Sequence, residues 1–175
     1  ILFVAAKEGD ASQGGSTLTM QVAKRVFTGD SPTIERKLDN MALAVQIERI
    51  LTKDQILELY ANESYFGERA YGIAAAADVY FGKTLDELTI SEAATLARCV
   101  RRPSQENPVR NLDKALRNRN TVLRIMRDEK FITEAEYTTA RAEELKVRPD
   151  RPRTISGEKK APYFVDYVLA QLEKE

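Results

Sequence analysis

The strongest constraint on the fold is a recurring signal that starts α-helices. A threonine followed three positions later by glutamate or glutamine occurs at Thr52–Gln55, Thr89–Glu92 and Thr133–Glu136. In such a capping box each side chain accepts a hydrogen bond from a backbone N–H that the start of a helix leaves unpaired. Because these signals precede runs of periodic apolar residues, they predict a mainly helical chain.

A second kind of signal combines a cap with a proline. Ser31 and Pro32 fit the N-cap and first helical positions, and they predict a helix that runs to about Ile50. Apolar residues recur along this segment with a period near 3.6, the repeat of one helix face. This apolar stripe consists of Ile34, Leu38, Met41, Val45 and Leu43/Ile47.

The stretch YFGERAYGIAAAADVYFGKT, residues 65–84, is predicted to hold a closely packed helix. Its run of alanines lets a helix approach its neighbours, and Gly82 is placed to end that helix at the C′ position. Asn111 is predicted to cap a later helix. The sequence shows no convincing strand pair and no GxGxxG stretch after a strand, which argues against a dinucleotide-binding fold.

The composition changes near Lys146, where a basic, proline-containing and weakly apolar stretch begins. We therefore predict a main domain over 1–146, a linker over 147–161 and a further helix over 162–175. The apolar start, ILFVAA, looks like the cut end of a longer segment. No apolar run approaches the roughly 20 residues that a membrane span needs.

The composition also excludes several kinds of site. The chain has no histidine, so proton transfer must use carboxylates, lysines, tyrosines or the substrate itself. Ser-His-Asp catalysis, Cys-His catalysis and histidine-rich zinc sites are excluded. The 27 basic and 27 acidic residues cancel, which argues against a general polyanion binder or a nucleic-acid-binding bundle. The lone Cys99, in an apolar stretch, is predicted to be a core residue.

The stretch QGGSTLTMQ, residues 13–21, combines two glycines and several hydroxyl groups directly before an apolar-periodic segment. It is either a helix cap after a loop or a site for a phosphate or sugar. Basic residues gather near the helix ends that follow: Lys24, Arg25, Arg36, Lys37, Arg49 and Lys53. Around one cleft they could neutralise a diphosphate; otherwise they are solvated faces and helix-end charges.

Three further side chains have two readings each. Glu48, next to Arg49 near a helix end, is either a structural ion-pair partner or a site residue. Tyr60 and Asn62 could hydrogen-bond a sugar or could close the C-terminal end of a helix. Their spacing alone does not decide between these roles.

Taken in order, these segments resemble the peptidoglycan glycosyltransferase domain of class A penicillin-binding proteins and monofunctional transglycosylases. GGSTLTMQ resembles the family's GGST-x-T-x-Q motif, RKLDNMALAVQIER its RKxxE-x-x-x-A motif, and KDQILELYAN its KxxILxxYxN motif. NRNTVL resembles the RxxxVL motif, and APYFVDYVLAQL resembles the segment that leads towards a transpeptidase domain. The resemblance spans essentially the whole sequence.

The resemblance implies a mainly α-helical, lysozyme-like fold with a larger lobe and a small membrane-facing lobe. It implies that lipid II and a growing glycan strand are the substrates: an acceptor sugar's 4-hydroxyl attacks an anomeric carbon, and undecaprenyl pyrophosphate leaves. A glutamate acts as base in that family. The family works at the extracytoplasmic face of the bacterial cytoplasmic membrane. It therefore implies a membrane surface, a transpeptidase domain and cell-wall synthesis proteins as partners, and no nucleic acid.

The matching motif positions are the expected contacts for substrate and pyrophosphate. They are Ser16, Thr17, Gln21, Lys24, Arg36, Lys37, Lys53, Tyr60 and Asn62. The resemblance requires no cofactor and no protein-bound metal. A divalent cation, Mg²⁺ or Mn²⁺, could accompany the substrate and would bind mostly through its diphosphate.

The sequence departs from the family pattern at several positions. The glutamate of RKxxE is Asn40, whose amide cannot ionise, and the EDxxFxxHxG motif that carries the base glutamate is expected upstream of Ile1. A basic position of the family falls at Pro32, and the arginine of RxxxVL falls at Asn118, beside Arg119. Two hypotheses follow: a fragment or variant of a peptidoglycan glycosyltransferase, or a catalytically inactive module that binds lipid II or a glycan.

Overall fold

The computed structural model describes residues 17–28 and 33–148. Within these ranges the chain is mostly helical, and it divides into two compact units between Glu63 and Ser64. Ser16, the predicted capping pair at 31–32 and the predicted helix over 162–175 lie outside the described residues.

Within the described residues, the first unit contains three helices and a π-helical turn. Helix α1 spans Leu18–Ala23, the π-helical turn Lys24–Thr28, helix α2 Ile34–Ile50 and helix α3 Lys53–Glu63. The Thr17 side chain caps α1, because its oxygen accepts a hydrogen bond from the Met20 N–H at 3.2 Å. The predicted capping box at Thr52 and Gln55 is confirmed at the start of α3, where both reciprocal hydrogen bonds form.

An apolar core holds the three helices of the first unit together. Short helices are marginal in water alone, so this burial supplies most of their stability. The core residues lie on facing sides of α1, α2 and α3 and in the turn between the last two: Val22, Ala23, Ile47, Leu51, Ile56 and Leu59.

Helix α2 forms as predicted, but most of its apolar stripe is not packed. Ile47 is buried and Leu43 half-buried, whereas Ile34 is 81% exposed and Val45 55% exposed. Leu38 and Met41 are exposed too. The buried face is formed by Asn40, Ala44 and Ile47, at spacings of four and three residues. The sequence therefore predicted the helix correctly, and the structure shows that its core-facing side differs from its most apolar side.

The second unit combines a short hairpin with helices. Its elements are β1 (Tyr65–Gly67), β2 (Ala70–Tyr71), α4 (Ile73–Phe81), a 3₁₀ turn (Leu85–Glu87), α5 (Ile90–Cys99), α6 (Leu112–Asp128) and α7 (Glu134–Ala142). The predicted capping boxes at Thr89–Glu92 and Thr133–Glu136 are confirmed, as is the Asn111 cap of α6. Gly82 ends α4 in the left-handed conformation, as predicted.

The prediction that no strand pair exists is wrong. Strands β1 and β2 pair antiparallel inside the stretch for which a packed helix was predicted, and α4 occupies only its second part. Strands of three and two residues are too short to show an alternating pattern, which is the sequence signal of a strand. A hydrogen bond of 2.7 Å from the Tyr80 hydroxyl to the Phe66 carbonyl ties the hairpin to α4.

The core of the second unit confirms the prediction for Cys99. This residue is 1% exposed among apolar side chains, and burial raises the pKa of its thiol to about 12. The first residues of the predicted linker are also described: Val147 packs against the same core, and the Arg148 N–H donates to the Tyr80 carbonyl at 2.9 Å. The rest of the linker stays a prediction.

Among residues 17–28 and 33–148, none of the helices combines the length and the apolar character that a membrane span needs.

Candidate active site

Helix α1 carries most of the opening motif and has two distinct faces. Thr19, Val22 and Ala23 form its buried face. Thr17, Gln21 and Lys24 follow each other at spacings of four and three residues, so they share the opposite face. Thr17 is exposed there, and Gln21 and Lys24 are half-buried. The structure therefore brings three of the predicted contact residues together on one accessible surface.

A carboxylate links the buried face of α1 to the other two helices of the first unit. The Thr19 hydroxyl donates to Glu48 Oε1 at 2.6 Å, and the Lys53 ammonium lies 2.8 Å from Glu48 Oε2. These two contacts lower the pKa of Glu48, with the hydrogen bond from Lys53 the larger cause and that from Thr19 the next. Glu48 is therefore a charged acceptor at neutral pH, and it binds through both of its oxygens.

The π-helical turn places Arg25 against a predicted contact residue. The Arg25 guanidinium carbon lies 4.5 Å from the centroid of the Tyr60 ring, which is a cation–π geometry. Tyr60 in turn packs against the core of the first unit. Single π-helical turns occur often at functional sites, because they shift side chains out of the regular helical register. Here the turn contains both Lys24 and Arg25.

Asn40 lies on the packed side of α2. It is only 5% exposed, and Ala44 and Ile47 continue the same buried face. An amide cannot ionise, so this position offers hydrogen bonds but no base.

The remaining predicted contacts are spread along α2 and α3. Lys37 is exposed in the first turns of α2, and Asn62 is half-buried near the end of α3. Arg36 belongs to α2, but its side chain lies outside what the structure describes. Lys53 begins α3 and pairs with Glu48. Substrate contacts by these four residues stay predictions.

The second unit shows what occupies the RxxxVL position. Asn118 Nδ2 donates to Glu106 Oε2 at 3.0 Å, and the Lys114 ammonium lies 3.3 Å from Glu106 Oε1. The adjacent Arg119 is 3% exposed and donates to the carbonyls of Arg141 and Glu143 at 2.9 and 2.8 Å. Arg119 therefore anchors the C-terminal end of α7 and does not replace a site arginine at position 118.

The roles of two residues, Glu48 and Thr19, could not be assigned from the sequence. Glu48 had two readings, and the structure makes it an ion-pair partner that joins helices. Thr19 belonged to the hydroxyl run but received no role of its own. Its position two residues after Thr17 puts it on the opposite side of a helix, which is the signal that separates the two threonines. In the described ranges, no group of three or more Cys, Asp or Glu side chains could hold a metal ion.

Comparison with known proteins gives a consistent result. A family model described as "Transglycosylase" matches residues 2–127. Penicillin-binding protein 1A of Escherichia coli is 43% identical over 169 residues, which cover 97% of this chain and 20% of that protein. A putative transglycosylase of Cupriavidus necator is 45% identical over 145 residues, which cover 83% of this chain and 63% of that protein.

A solved structure agrees with these matches. The crystal structure of penicillin-binding protein 1A from Haemophilus influenzae aligns with a TM-score of 0.55 and 33% identity, over 89% of this chain and 19% of that one. The chain thus spans about a fifth of the length of the penicillin-binding proteins that it matches. The helical, lysozyme-like fold class predicted from the sequence is confirmed. By its motifs, its fold and these matches, this chain belongs to the transglycosylase family, the peptidoglycan glycosyltransferases of penicillin-binding proteins and their relatives.

Proposed function

We propose that the chain takes part in polymerising peptidoglycan glycan strands and that its first unit binds the diphosphate end of lipid II. The observation that carries this proposal is the accessible face of α1, where Thr17, Gln21 and Lys24 present a hydroxyl, an amide and an ammonium group side by side. Such groups suit phosphate and sugar oxygens, and a cation stabilises the charge that develops on a leaving diphosphate.

The reaction requires groups that stabilise the leaving diphosphate. A bond forms between the acceptor's 4-oxygen and the donor's anomeric carbon as the bond from that carbon to the diphosphate oxygen breaks. The hydroxyl proton passes to a base, and the diphosphate leaves with the bonding electrons. Lys24 would neutralise that leaving group, and Gln21 and Thr17 would hold it in place.

Neither of two polar candidates in the first unit suits the role of base. Asn40 cannot accept the proton to become a neutral acid, because it carries an amide. Glu48 is held by Thr19 and Lys53, and its lowered pKa makes it a weak base. We therefore assign the role of base to neither of these two side chains, and we assign the outer face of α1 to binding the diphosphate.

A second candidate function is a module that binds lipid II or a glycan without turning it over. The buried amide of Asn40, at the position of the family's second glutamate, favours this reading. The membrane surface is a further proposed partner, supported by the exposed apolar side chains of α2. A transpeptidase domain, other cell-wall proteins and a divalent cation bound through the diphosphate stay proposals that rest on the family resemblance.

Polymerisation and binding of labelled lipid II separate the two functions. The protein is used as its gene encodes it, with Asn40, with Asn40→Glu and with Asn40→Gln as a neutral side chain of glutamate's length. If the chain is a variant glycosyltransferase that lacks a catalytic carboxylate at position 40, Asn40→Glu should raise the polymerisation rate about 10²- to 10⁴-fold, whereas Asn40→Gln should not.

Each outcome decides between the candidates. Robust polymerisation by the Asn40 form excludes the inactive module. Binding without polymerisation by all three forms supports the inactive module. If none of the three binds lipid II, the proposed function is wrong.

A further inference from the structure

The three helices of the first unit meet at one side chain. Glu48, on α2, receives the Thr19 hydroxyl from α1 and the Lys53 ammonium from α3. Thr19 is buried, whereas the ammonium-bearing side chain of Lys53 is 77% exposed. We call these three residues the Glu48 clamp. Thr19 fills the last threonine of the GGST-x-T-x-Q motif but is not among the contact residues that the resemblance implies, and the sequence left the role of Glu48 open.

The clamp adds a directional contact to a helix whose other buried side chains are apolar. Helix α1 has only six residues, and its other buried contacts are made by Val22 and Ala23. Two small apolar side chains can slide or rotate against a core at little cost, because their contacts are not directional. A short hydrogen bond from a hydroxyl to a carboxylate is directional, so it opposes such a rotation.

The rotation of α1 decides where its opposite face points. Thr17, Gln21 and Lys24 lie on the far side of the helix from Thr19, so a turn of α1 about its axis moves all of them together. Groups that bind a diphosphate must be held close to their productive positions, since a displacement of about 1 Å already lowers rates strongly.

We propose that Glu48 is a positioning residue, which fixes the rotation of α1 through Thr19 and takes its own position from Lys53. Lys53 then acts on the site through Glu48. This inference rests on the proposed function, because it assigns the purpose of the clamp to the diphosphate-binding face of α1.

The test measures the affinity of the chain for fluorescent lipid II in detergent micelles, together with the free energy of unfolding. Thr19→Val keeps the shape of the side chain and removes the hydroxyl, and Glu48→Gln removes the charge. We expect each to weaken binding about tenfold, and the double variant to bind no more weakly than Glu48→Gln alone. Lys53→Met should weaken binding as much as Glu48→Gln does. Lys53→Arg keeps the positive charge and should bind like the unsubstituted chain.

Two control variants separate positioning from general stability. Ile56→Val removes one methyl group from the core of the same unit, and Glu58→Gln removes an exposed carboxylate from α3. Both should bind lipid II within about twofold of the unsubstituted chain, since neither touches the clamp. Comparable losses in Ile56→Val and Thr19→Val would overturn the proposal, and so would additive losses in the double variant.

Hydrogen exchange of the α1 amides distinguishes a failure of this inference from a failure of the proposed function. If the unsubstituted chain does not bind lipid II, the proposed function is wrong. The positioning role of Glu48 is then tested by the hydrogen-exchange rates alone. Faster exchange at residues 20–23 in Thr19→Val and Glu48→Gln, but not in Ile56→Val, supports the clamp. Unchanged exchange in the first two variants overturns it.

Discussion

At the scale of single residues, charged side chains of the first unit differ in their surroundings. Glu48 has both carboxylate oxygens engaged, and Arg25 stacks on the Tyr60 ring. Lys24 is half-buried beside Gln21, on the face of α1 that turns away from the core. Neighbouring positions in the chain thus make different contacts, and single substitutions can test the role of each.

The first prediction concerns the pH dependence of the Glu48 clamp. The pKa of Glu48 lies below its ordinary value of 4.5 in the folded chain, so its ionised form favours folding. The stabilisation is fully present above pH 4.5 and is lost as the pH falls through the lower, folded-state pKa. The unsubstituted chain should therefore be more stable than Glu48→Gln at pH 7, and urea unfolding should show this difference shrink in acid. A difference that grows below pH 4.5 would contradict the assignment of the charge.

The motif predicts substrate contacts at Thr17, Gln21 and Lys24, and the structure places these residues on one helix face, but whether they bind substrate stays a prediction. The sequence did not predict the clamp behind them. The link between Thr19 and Glu48 joins positions 29 residues apart. Such a link depends on how helices pack, and no local pattern encodes it.

At the scale of elements, α2 shows two faces with different purposes. Its packed face is lined by Asn40, Ala44 and Ile47, and its opposite side exposes Ile34, Leu38, Met41 and Val45. An apolar stripe that is exposed to water is unfavourable, and apolar stripes of this kind often mark interaction sites. We propose that this apolar stripe contacts the membrane surface.

A vesicle-binding measurement tests this use of α2. Replacing Leu38 and Met41 by serine should lower binding of the chain to phospholipid vesicles severalfold, because less apolar area enters the lipid interface. The free energy of unfolding should change by less than about 1 kcal/mol, since both side chains are exposed. Gln46→Ser, on the same helix, is the matched control. Equal vesicle binding by the double variant and the control would exclude the stripe as a lipid contact.

The predictability of the elements follows from their local signals. Helices with a capping box were found correctly because the cap is encoded within four residues. The hairpin at 65–71 was missed because its strands are too short for alternation, and its turn uses left-handed Glu68 and Arg69, which are not typical turn residues. The packed face of α2 was not evident because a polar residue, Asn40, belongs to it.

At the scale of the whole molecule, the chain holds two units with separate cores. The first contains most of the predicted binding residues, and the second contains the RxxxVL position and a buried network around Arg119. The fold class and the family could be predicted because ordered motifs run along the entire sequence. Whether turnover accompanies binding could not be predicted, because it depends on the chemistry at one position, Asn40, and on the base.

We propose that the outer face of α1 binds the diphosphate of lipid II. Lys24 and Arg25 carry the same charge at adjacent positions, but Lys24 shares this face with Thr17 and Gln21, whereas the Arg25 guanidinium stacks on the Tyr60 ring. The decisive measurement is the affinity of the chain for lipid II, compared for Lys24→Ala and Arg25→Ala at one ionic strength. We expect Lys24→Ala to weaken binding about tenfold or more, as for a lost charge-assisted contact, and Arg25→Ala to weaken it clearly less. Equal losses in both variants would contradict the proposal and would return this stretch to a structural role.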